Sequence, residues 1–285
     1  MDIYASTVCV PNNEIYIDVV KRYIEVGIFN IELGSSHRYD AKINEKTLVN
    51  FPCRFLIHSY FPPSPEPFVL NLASSNPLVR KRSLDHVKCA VKLSADLQAP
   101  FYSVHSGFIT DPYGFGSTSY RFPKPISEKE EILAFERFVS ALEEVVHYAK
   151  IYNILLLIEN NVCTEGLKGK LLLQTADEFQ KLFKIFKAEN LGILLDFGHL
   201  NITACTLGFD RMAFIEKVES NIYAFHVHEN DCITDTHDPI KNDSWVFDVL
   251  RHRKFSSLPV VVEARFNSVD ILKSHMDWLT AKLGN

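Results

Sequence analysis

Short apolar runs alternate with longer amphipathic stretches from one end of the chain to the other. Apolar runs of this length, bounded by polar and turn-forming residues, are typical of buried β-strands. The predicted strands are Ile3 to Val8, Phe29 to Leu33, Arg54 to Ser59, Phe101 to His105, Ile154 to Glu159, Gly192 to Asp196, Ile222 to His228 and Pro259 to Glu263. The pattern therefore predicts eight strands spread over the whole chain.

The segments between these strands place apolar residues at helical spacing. The predicted helices are Glu14 to Val26, Pro77 to Leu97, Ser127 to Tyr152, Thr175 to Ala188, Phe209 to Glu219, Ser244 to His252 and Val269 to Leu283. The segment from Ser35 to Phe51 has the weakest helical pattern, and its helix would be short.

Repeated strand-helix alternation over this length favours an α/β fold, a single (β/α)8 TIM barrel, over an open doubly wound sheet. No Gly-x-Gly-x-x-Gly sequence follows the first predicted strand, so a dinucleotide-binding fold lacks its main sequence support. No low-complexity stretch or long linker divides the chain. We therefore expect residues 1–285 to form one domain.

Composition adds limits on location and partners. The chain has 285 residues, of which 47% are hydrophobic and 23% charged, and its formal net charge of −5 gives no sign of a general affinity for polyanions. No apolar run approaches the roughly 18 residues needed to span a bilayer, and the first residues lack a secretory pattern. The six cysteines form no Cys-x-x-Cys pair. We expect a cytoplasmic protein with reduced thiols and no membrane partner.

The densest group of metal-type ligands follows the seventh predicted strand. His226 and His228 alternate along that strand, so both side chains point to the same face. Asp235 and His237 come within reach in the next loop. Imidazole and carboxylate ligands together suit zinc or manganese. His228 lies at the very end of the strand and His226 one pleat deeper, so we expect His226 to support the ligands from behind.

Ionisable residues also end most of the other predicted strands. Those at strand ends are Glu32, His58, His105, Glu159, Asp196, His228 and Glu263, and His199, Asp235 and His237 follow closely. A barrel brings all its strand ends onto one face, so these side chains should converge there. Burying so many carboxylates and imidazoles is costly unless divalent ions balance their charge. The sequence predicts a site for divalent ions at the carboxyl-end face.

Several short motifs resemble those of the xylose isomerase-like barrel superfamily, which holds sugar isomerases and epimerases together with the endonuclease IV type of abasic-site nuclease. The matching segments are Ile57-His-Ser-Tyr60, Leu70-Asn-Leu-Ala-Ser-Ser75 with Arg82-Ser83, Val104-His-Ser-Gly107, Ile158-Glu-Asn160, Leu195-Asp-Phe-Gly-His199, His228-Glu-Asn-Asp231, Asp235-Thr-His237 and Val262-Glu263. Their order and spacing span nearly the whole chain.

The resemblance implies two ligand schemes. In the isomerase and epimerase branch, one metal would be held by Glu159, Asp196, His228 and Glu263. In the nuclease branch, one ion would be held by His58, His105 and Glu159, a second by Glu159, Asp196, His228 and Glu263, and a third by His199, Asp235 and His237.

The first functional hypothesis is a metal-dependent isomerase or epimerase acting on a small sugar or sugar phosphate. Proton transfer next to a carbonyl needs a metal to stabilise the enediolate and carboxylates to move the proton. Glu159 and Glu263 would be this acid-base pair. Further substrate contacts would come from Glu32, Tyr60, Asn161, His199 and Arg265.

The second hypothesis is metal-dependent phosphodiester cleavage at abasic DNA sites, with nucleic acid as partner in this case alone. Clustered ions would bind the phosphate and generate hydroxide. The chain lacks a sustained basic stripe, which favours the sugar enzyme. A third hypothesis is a purely structural metal site. It is disfavoured because structural zinc sites are usually closed sets of Cys and His at short spacings. The sequence leaves the oligomeric state open.

Overall fold

The structure is a computed structural model that describes residues 1–10, 15–35, 37–115, 120–123, 127–187 and 190–284. In chain order its strands and α-helices are β1 (Ile3–Ser6), α1 (Tyr16–Glu25), β2 (Asn30–Leu33), β3 (Arg54–His58), α2 (Pro77–Asp96), β4 (Phe101–His105), β5 (Gly114–Phe115), β6 (Tyr120–Arg121), α3 (Glu128–Ile151), β7 (Leu155–Glu159), α4 (Ala176–Ile185), β8 (Leu191–Asp196), α5 (Phe197–Leu207), α6 (Arg211–Val218), β9 (Ile222–Val227), α7 (Val246–Leu250), β10 (Val260–Val262) and α8 (Val269–Gly284).

Eight of these strands close into a barrel in the order β1-β10-β9-β8-β7-β4-β3-β2. Every pairing within the barrel is parallel. Strands β5 and β6 form a separate antiparallel pair. The predicted (β/α)8 barrel is therefore confirmed, and the carboxyl ends of its strands share one face.

The interior of the barrel explains why polar residues gather at that face. Its apolar cluster consists of Tyr4, Leu56, Phe101, Leu157, Leu194, Ala224 and Val261. Because strand side chains alternate between faces, the residue two positions later points inward as well. Those residues are Ser6, His58, Ser103, Glu159, Asp196, His226 and Glu263. A polar layer thus lies directly on the apolar one, toward the carboxyl ends of the strands.

A larger apolar cluster lies between the outer face of the barrel and the helices. Val91 of α2, Phe138 of α3 and Phe179 of α4 are fully buried in it. Side-chain caps fix the starts of these helices: the Ser127 hydroxyl accepts from Glu130 N ahead of α3, and the Thr175 hydroxyl accepts from Glu178 N ahead of α4. None of the helices in the described part of the chain is long and apolar enough to cross a membrane.

Most predicted elements appear with small shifts at their ends. The predicted starts and ends at Glu14 and Ala188 lie outside the described residues. The short helix expected between Ser35 and Phe51 is a 3-10 helix, Glu45–Asn50. Asn44 begins it by accepting a hydrogen bond from Lys46 N.

Helix α5 was not predicted, and its sequence shows why. Its first eight residues are all buried, so it lacks the polar face that gives a helix its periodic pattern. Asp196 ends β8 and also begins α5, since its Oδ1 accepts from His199 N at 2.7 Å. Gly208 ends the helix with a left-handed φ of 73°. This direct passage from strand to helix places His199 one helical turn above Asp196.

Candidate metal centre

A cavity of about 410 Å³ opens above the polar layer of the barrel. Its wall includes His58, His105, His199, His237 and Glu263. We call it the metal cavity. These residues come from different strands and loops, so the convergence expected from the sequence is present in the structure.

The ionisable side chains around this cavity form overlapping groups. In each group one possible ligand atom per residue lies within 4.8 Å of the others. The groups are Glu159, Asp196, His226 and Glu263; His58, His105 and Glu159; His199, His228, Asp235 and His237; and Glu32, His58 and His226. Every residue expected to be a ligand from the sequence belongs to one of them.

The histidine among the three carboxylates is His226. Its Nδ1 lies 3.2 Å from Glu263 Oε2, 3.5 Å from Glu159 Oε1 and 3.6 Å from Asp196 Oδ2. The sequence had placed His226 behind His228. The strand register gives the reason for the difference, because Asp196 pairs directly with His226 across β8 and β9. Alternation identifies two inward-facing histidines but does not tell at which depth the carboxylates meet them.

His228 lies one pleat higher and faces the loop after β9. Its Nε2 is 3.1 Å from Asp196 Oδ1, and its Nδ1 is 3.9 Å from Asp235 Oδ1. Its ring stacks on His237 with centroids 4.0 Å apart. Asp235 Oδ2 lies 3.1 Å from His237 Nε2 and 3.5 Å from His199 Nε2. The Asp-x-His loop therefore joins His199 and His228 in one group, with Asp196 linking it to the carboxylates below.

Glu159 is the centre of the cluster. It is fully buried at the end of β7. Its Oε2 lies 3.3 Å from His58 Nε2 and 3.2 Å from His105 Nδ1, and its Oε1 lies 3.2 Å from His199 Nδ1. The carboxylate could thus bridge two ligand groups.

The donor set fits a divalent cation. Both oxygens of Glu159, Nδ1 of His226, Nδ1 of His228 and Oδ1 of Asp235 are buried without a hydrogen-bond partner among the described residues. Leaving one buried polar group unsatisfied costs about 1–3 kcal/mol, and more for a charged group. Several such atoms that point toward one another have the chemistry of ligands for zinc or manganese.

Without a cation, protons would balance the charge of the carboxylates. Burial opposes ionisation of Glu263, but His226 beside it lowers the pKa of Glu263 to about 2. Burial likewise disfavours a charged His237, yet the Asp235 carboxylate raises the pKa of His237 to about 9. Burial lowers the pKa of His105 to about 4 in spite of the nearby Glu159 carboxylate. The cluster therefore combines ionised carboxylates with both protonated and neutral imidazoles.

Glu32 does not reach the rim position that the sequence suggested. It is fully buried, and its Oε2 lies 2.8 Å from Nε2 of His226. It therefore holds the far side of the imidazole whose Nδ1 faces the other carboxylates. A carboxylate on the outer nitrogen of a ligand histidine is a common way to fix the orientation of the ring.

The other expected substrate contacts are divided between two places. Arg265 lines the metal cavity together with His199. Asn161 and Tyr60 lie instead beside a neighbouring cavity. The Asn161 amide nitrogen donates to Ser106 Oγ at 2.7 Å and to Leu172 O at 2.8 Å.

Two residues with a role in this geometry were not assigned one from the sequence. Asn160 Nδ2 donates to Asp196 O at 3.0 Å, and its Oδ1 accepts from Asp196 N at 2.8 Å. His37 lines the metal cavity from the loop after β2, with its Nε2 2.7 Å from Thr7 Oγ1. Asn160 belongs to the Ile158-Glu-Asn160 motif, so the sequence did contain a signal for it. The loop conformation that brings in His37 depends on tertiary contacts, and its sequence gave no comparable signal.

Fold and site together define a TIM barrel with a buried carboxylate-histidine cluster at the carboxyl ends of its strands. The chain belongs to the xylose isomerase-like TIM barrel family, whose sequence pattern matches residues 45–282. This finding confirms the resemblance seen in the short motifs.

Individual proteins resemble this chain at low sequence identity. A protein of Persephonella marina named "Probable endonuclease 4" is 29% identical over 133 residues, which are 47% of this chain and 39% of that protein. The chain spans half or less of the length of the curated relatives it matches. The crystal structure of a D-tagatose 3-epimerase-like protein has a TM-score of 0.73 at 22% identity, covering 99% of this chain and 100% of the other. A Thermus thermophilus protein soaked with zinc chloride has a TM-score of 0.65 at 18% identity, covering 100% and 98%. At these identities the structural likeness shows the fold alone.

Proposed function

We propose that this protein is a divalent-metal-dependent isomerase or epimerase of a sugar or sugar phosphate. The observation that carries the proposal is the convergence of Glu159, Asp196, Glu263 and a histidine nitrogen at the base of an open cavity. The fold is also that of an epimerase-like protein, so it is a scaffold on which this class of reaction can be built. A metal and a pair of carboxylates are the groups that proton transfer next to a carbonyl requires.

The residues that would hold the ion are Glu159, Asp196 and Glu263 with His226 or His228. When bound, zinc or manganese would supply a positive charge that makes the hydrogen on the carbon next to the sugar carbonyl more acidic. Asn160 would keep Asp196 in place through its two hydrogen bonds to the Asp196 backbone. Glu32 would orient His226 from below.

Glu263 is the carboxylate best placed to take the proton from substrate. It lines the metal cavity, whereas Glu159 is fully buried behind the histidines. In the metal-free cluster the neighbouring His226 outweighs burial, lowers the pKa of Glu263 and keeps this carboxylate ionised at neutral pH. A bound cation would favour the same charged form. An ionised carboxylate facing the substrate is the form that accepts a proton.

Epimerisation needs a proton on the opposite side of the reacting carbon. Glu159 would relay one from solvent through His105 or His199, which line the cavity and lie 3.2 Å from its oxygens, while Glu263 releases to solvent the proton it has taken. The contacts of Glu159 with His58, His105 and His199 give it a second role, because they tie it to two ligand groups. His199 and Arg265 line the cavity and would hold substrate hydroxyl groups.

The assay is exchange of substrate hydrogen with solvent. Metal-loaded protein is incubated with a panel of ketoses and ketose phosphates in deuterated water, and incorporation is followed by NMR. We expect deuterium at the carbon next to the carbonyl in the unaltered protein. Glu263→Gln should lose exchange even when excess metal offsets its weaker binding of the ion, and Glu159→Gln should lose both exchange and metal. Glu136→Gln, on the exposed face of α3, is the matched control. Full exchange in Glu263→Gln would contradict the assignment of the base.

A second candidate is an endonuclease acting at abasic DNA sites with up to three ions. Two observations favour it: all nine ligand residues of that scheme lie in the clusters described above, and part of the chain matches a "Probable endonuclease 4". Against it, Arg265 is the single Lys or Arg among the described residues that line the metal cavity. Phosphate backbones are usually held by several such side chains.

One incubation separates the two candidates. Zinc-loaded protein is mixed with a duplex oligonucleotide that contains one abasic site, and the products are separated on a gel. We expect uncut DNA under conditions in which sugar exchange is measurable. Cleavage at the abasic site that disappears in Glu159→Gln would favour the nuclease and overturn the sugar enzyme.

A further inference from the structure

A second cavity of about 240 Å³ adjoins the metal cavity. The two share His105 and Val162 in their walls. The second cavity lies between the loops that follow β4 and β7, and we call it the apolar cavity. A molecule bound over the metal ligands would therefore have the apolar cavity beside it, next to His105 and Val162.

The walls of this cavity are mainly aromatic and aliphatic. They include Tyr60, Phe108, Tyr120, Leu167 and Leu171. Phe108 and Tyr120 pack edge to face with centroids 5.4 Å apart, and Phe108 pairs with Leu171 in an isolated β-bridge. Among the described residues, no Lys, Arg, Asp or Glu lines it. A phosphate or a bare polyhydroxyl chain would therefore lose its hydrogen bonds with water and find few replacements.

One polar atom in the wall has no partner. Ser59 lines the cavity, is 1% exposed and has a left-handed φ of 47°. Its Oγ makes no hydrogen bond within the part of the chain that the structure describes. A ligand that filled the apolar cavity and offered one oxygen could satisfy this hydroxyl.

The volume sets the size of the occupant. An apolar cavity of roughly 150 Å³ is enough to bind benzene. The apolar cavity is larger than that, and so it exceeds what a single methyl group of a deoxysugar would fill. The remaining space suits one ring together with the atom that links it to the sugar.

We propose that the substrate is a sugar bearing one apolar, ring-sized substituent, with the sugar over the metal ligands and the substituent in the apolar cavity. This inference rests on the proposed sugar chemistry and names its substrate class as a keto sugar that keeps its carbonyl and carries an apolar substituent on one of its other oxygens. The shared wall residues His105 and Val162 place the two cavities side by side, so a substituent of a sugar above the metal ligands is the group nearest to the apolar cavity.

Two measurements test the substrate class with the metal-loaded protein. Phenol is titrated while the methyl NMR signals of Leu167 and Leu171 are followed. In parallel, calorimetry compares methyl and phenyl β-glycosides of glucose, galactose and mannose, which lack a free carbonyl and therefore serve as non-reacting analogues. We expect phenol to shift both leucine signals, and at least one phenyl glycoside to bind about tenfold or more tightly than its methyl partner, because the ring buries apolar surface.

Substitutions identify the place of binding. Leu171→Trp would fill the cavity, and Leu171→Asn would make it polar without filling it. Either substitution should abolish the phenol-induced shift of the Leu167 signal and make the affinities for the methyl and phenyl glycosides equal. Leu78→Trp, at a position on α2 that is 77% exposed, is the matched control and should behave as the unaltered protein. Metal content, measured in each variant, should stay unchanged because Leu171 is not among the possible ligands.

Unmoved leucine signals, or equal affinity for every pair of glycosides in the unaltered protein, would overturn the substrate class. Either result leaves the proposed reaction standing if free ketoses still exchange with solvent. Conversely, tighter binding of phenyl glycosides with no solvent exchange of any ketose would contradict the proposed reaction and support the apolar binding site.

Discussion

Gly198 controls the position of the His228 ring. The glycine lies in the first turn of α5, where its missing side chain leaves room for the imidazole. A Cβ atom added at Gly198 would lie 2.0 Å from His228 Cε1 and 2.3 Å from Nδ1. Real Cβ atoms essentially never approach a neighbour within 3.0 Å. Gly198→Ala must therefore displace the ring or the helix.

The size of the displacement follows from the same distances. Ordinary contact begins near 3.4 Å, so the ring must move by about 1.4 Å (3.4 minus 2.0). His237 stacks on it at 4.0 Å between centroids, and Asp196 Oδ1 lies 3.1 Å from its Nε2. A shift of this size breaks at least one of these contacts. Elsewhere in a helix, replacing Gly by Ala would stabilise the protein by about 1 kcal/mol.

We expect Gly198→Ala to remain folded and to lose metal affinity. Overpacking costs typically about 1–3 kcal/mol, which the helix preference of Ala partly offsets. Loss of a well-placed histidine should weaken metal binding by at least about tenfold, as it does when even the partners of ligand residues are removed. Thermal unfolding and calorimetric titration with zinc or manganese measure the two effects separately.

The matched control is Gly166→Ala, because nothing lies within 4 Å of a Cβ atom added there. It should bind metal as the unaltered protein does. If Gly198→Ala binds metal with unchanged affinity, then metal binding does not depend on the position of the His228 ring between Gly198, Asp196 and His237.

Three further results are expected. Metal affinity should rise between pH 6 and pH 9. Asp235 outweighs burial and raises the pKa of His237 to about 9, and the protonated ring, 4.0 Å from Glu263 Oε2, repels a cation until it loses its proton. A flat profile in calorimetric titrations would refute this. Asn160→Ala should lower the free energy of unfolding, measured in urea, by about 1–3 kcal/mol, because it removes both hydrogen bonds from the Asn160 side chain to the buried Asp196 backbone. A change below about 0.5 kcal/mol would show that these bonds do not stabilise the site. Free metal at 100 times its dissociation constant should stabilise the protein by about 2.7 kcal/mol and raise its melting temperature, an effect that EDTA reverses; a melting temperature insensitive to EDTA would speak against binding.

The barrel was predictable because its strands are short apolar runs and its helices are amphipathic. Helix α5 was not, because a helix buried on all sides has no polar face to reveal its period. What could have indicated it is the Asp196-x-x-His199 spacing, in which the aspartate begins a helix.

The convergence of the site residues was predictable from their positions at strand ends. Their arrangement in depth was not. Alternation put His226 and His228 on one face, but the pairing of Asp196 with His226 depends on the register of β8 and β9. Glu32 also lies near the end of its strand. It is buried, however, with its Oε2 2.8 Å from Nε2 of His226, whereas the other carboxylates face Nδ1 of the same ring. The substrate contacts expected at Tyr60 and Asn161 turned toward the apolar cavity, since loop conformation is set by packing.

The most direct test of the central claim is the metal content of the purified protein. The chain is dialysed against zinc or manganese and then against metal-free buffer, and the ions per chain are measured by inductively coupled plasma mass spectrometry. We expect one to three tightly held ions per chain, and at least one fewer in Glu159→Gln, because that carboxylate belongs to two ligand groups. A protein that retains no zinc or manganese, or a Glu159→Gln variant with the same content as the unaltered chain, would contradict the proposal that this cluster is a metal centre.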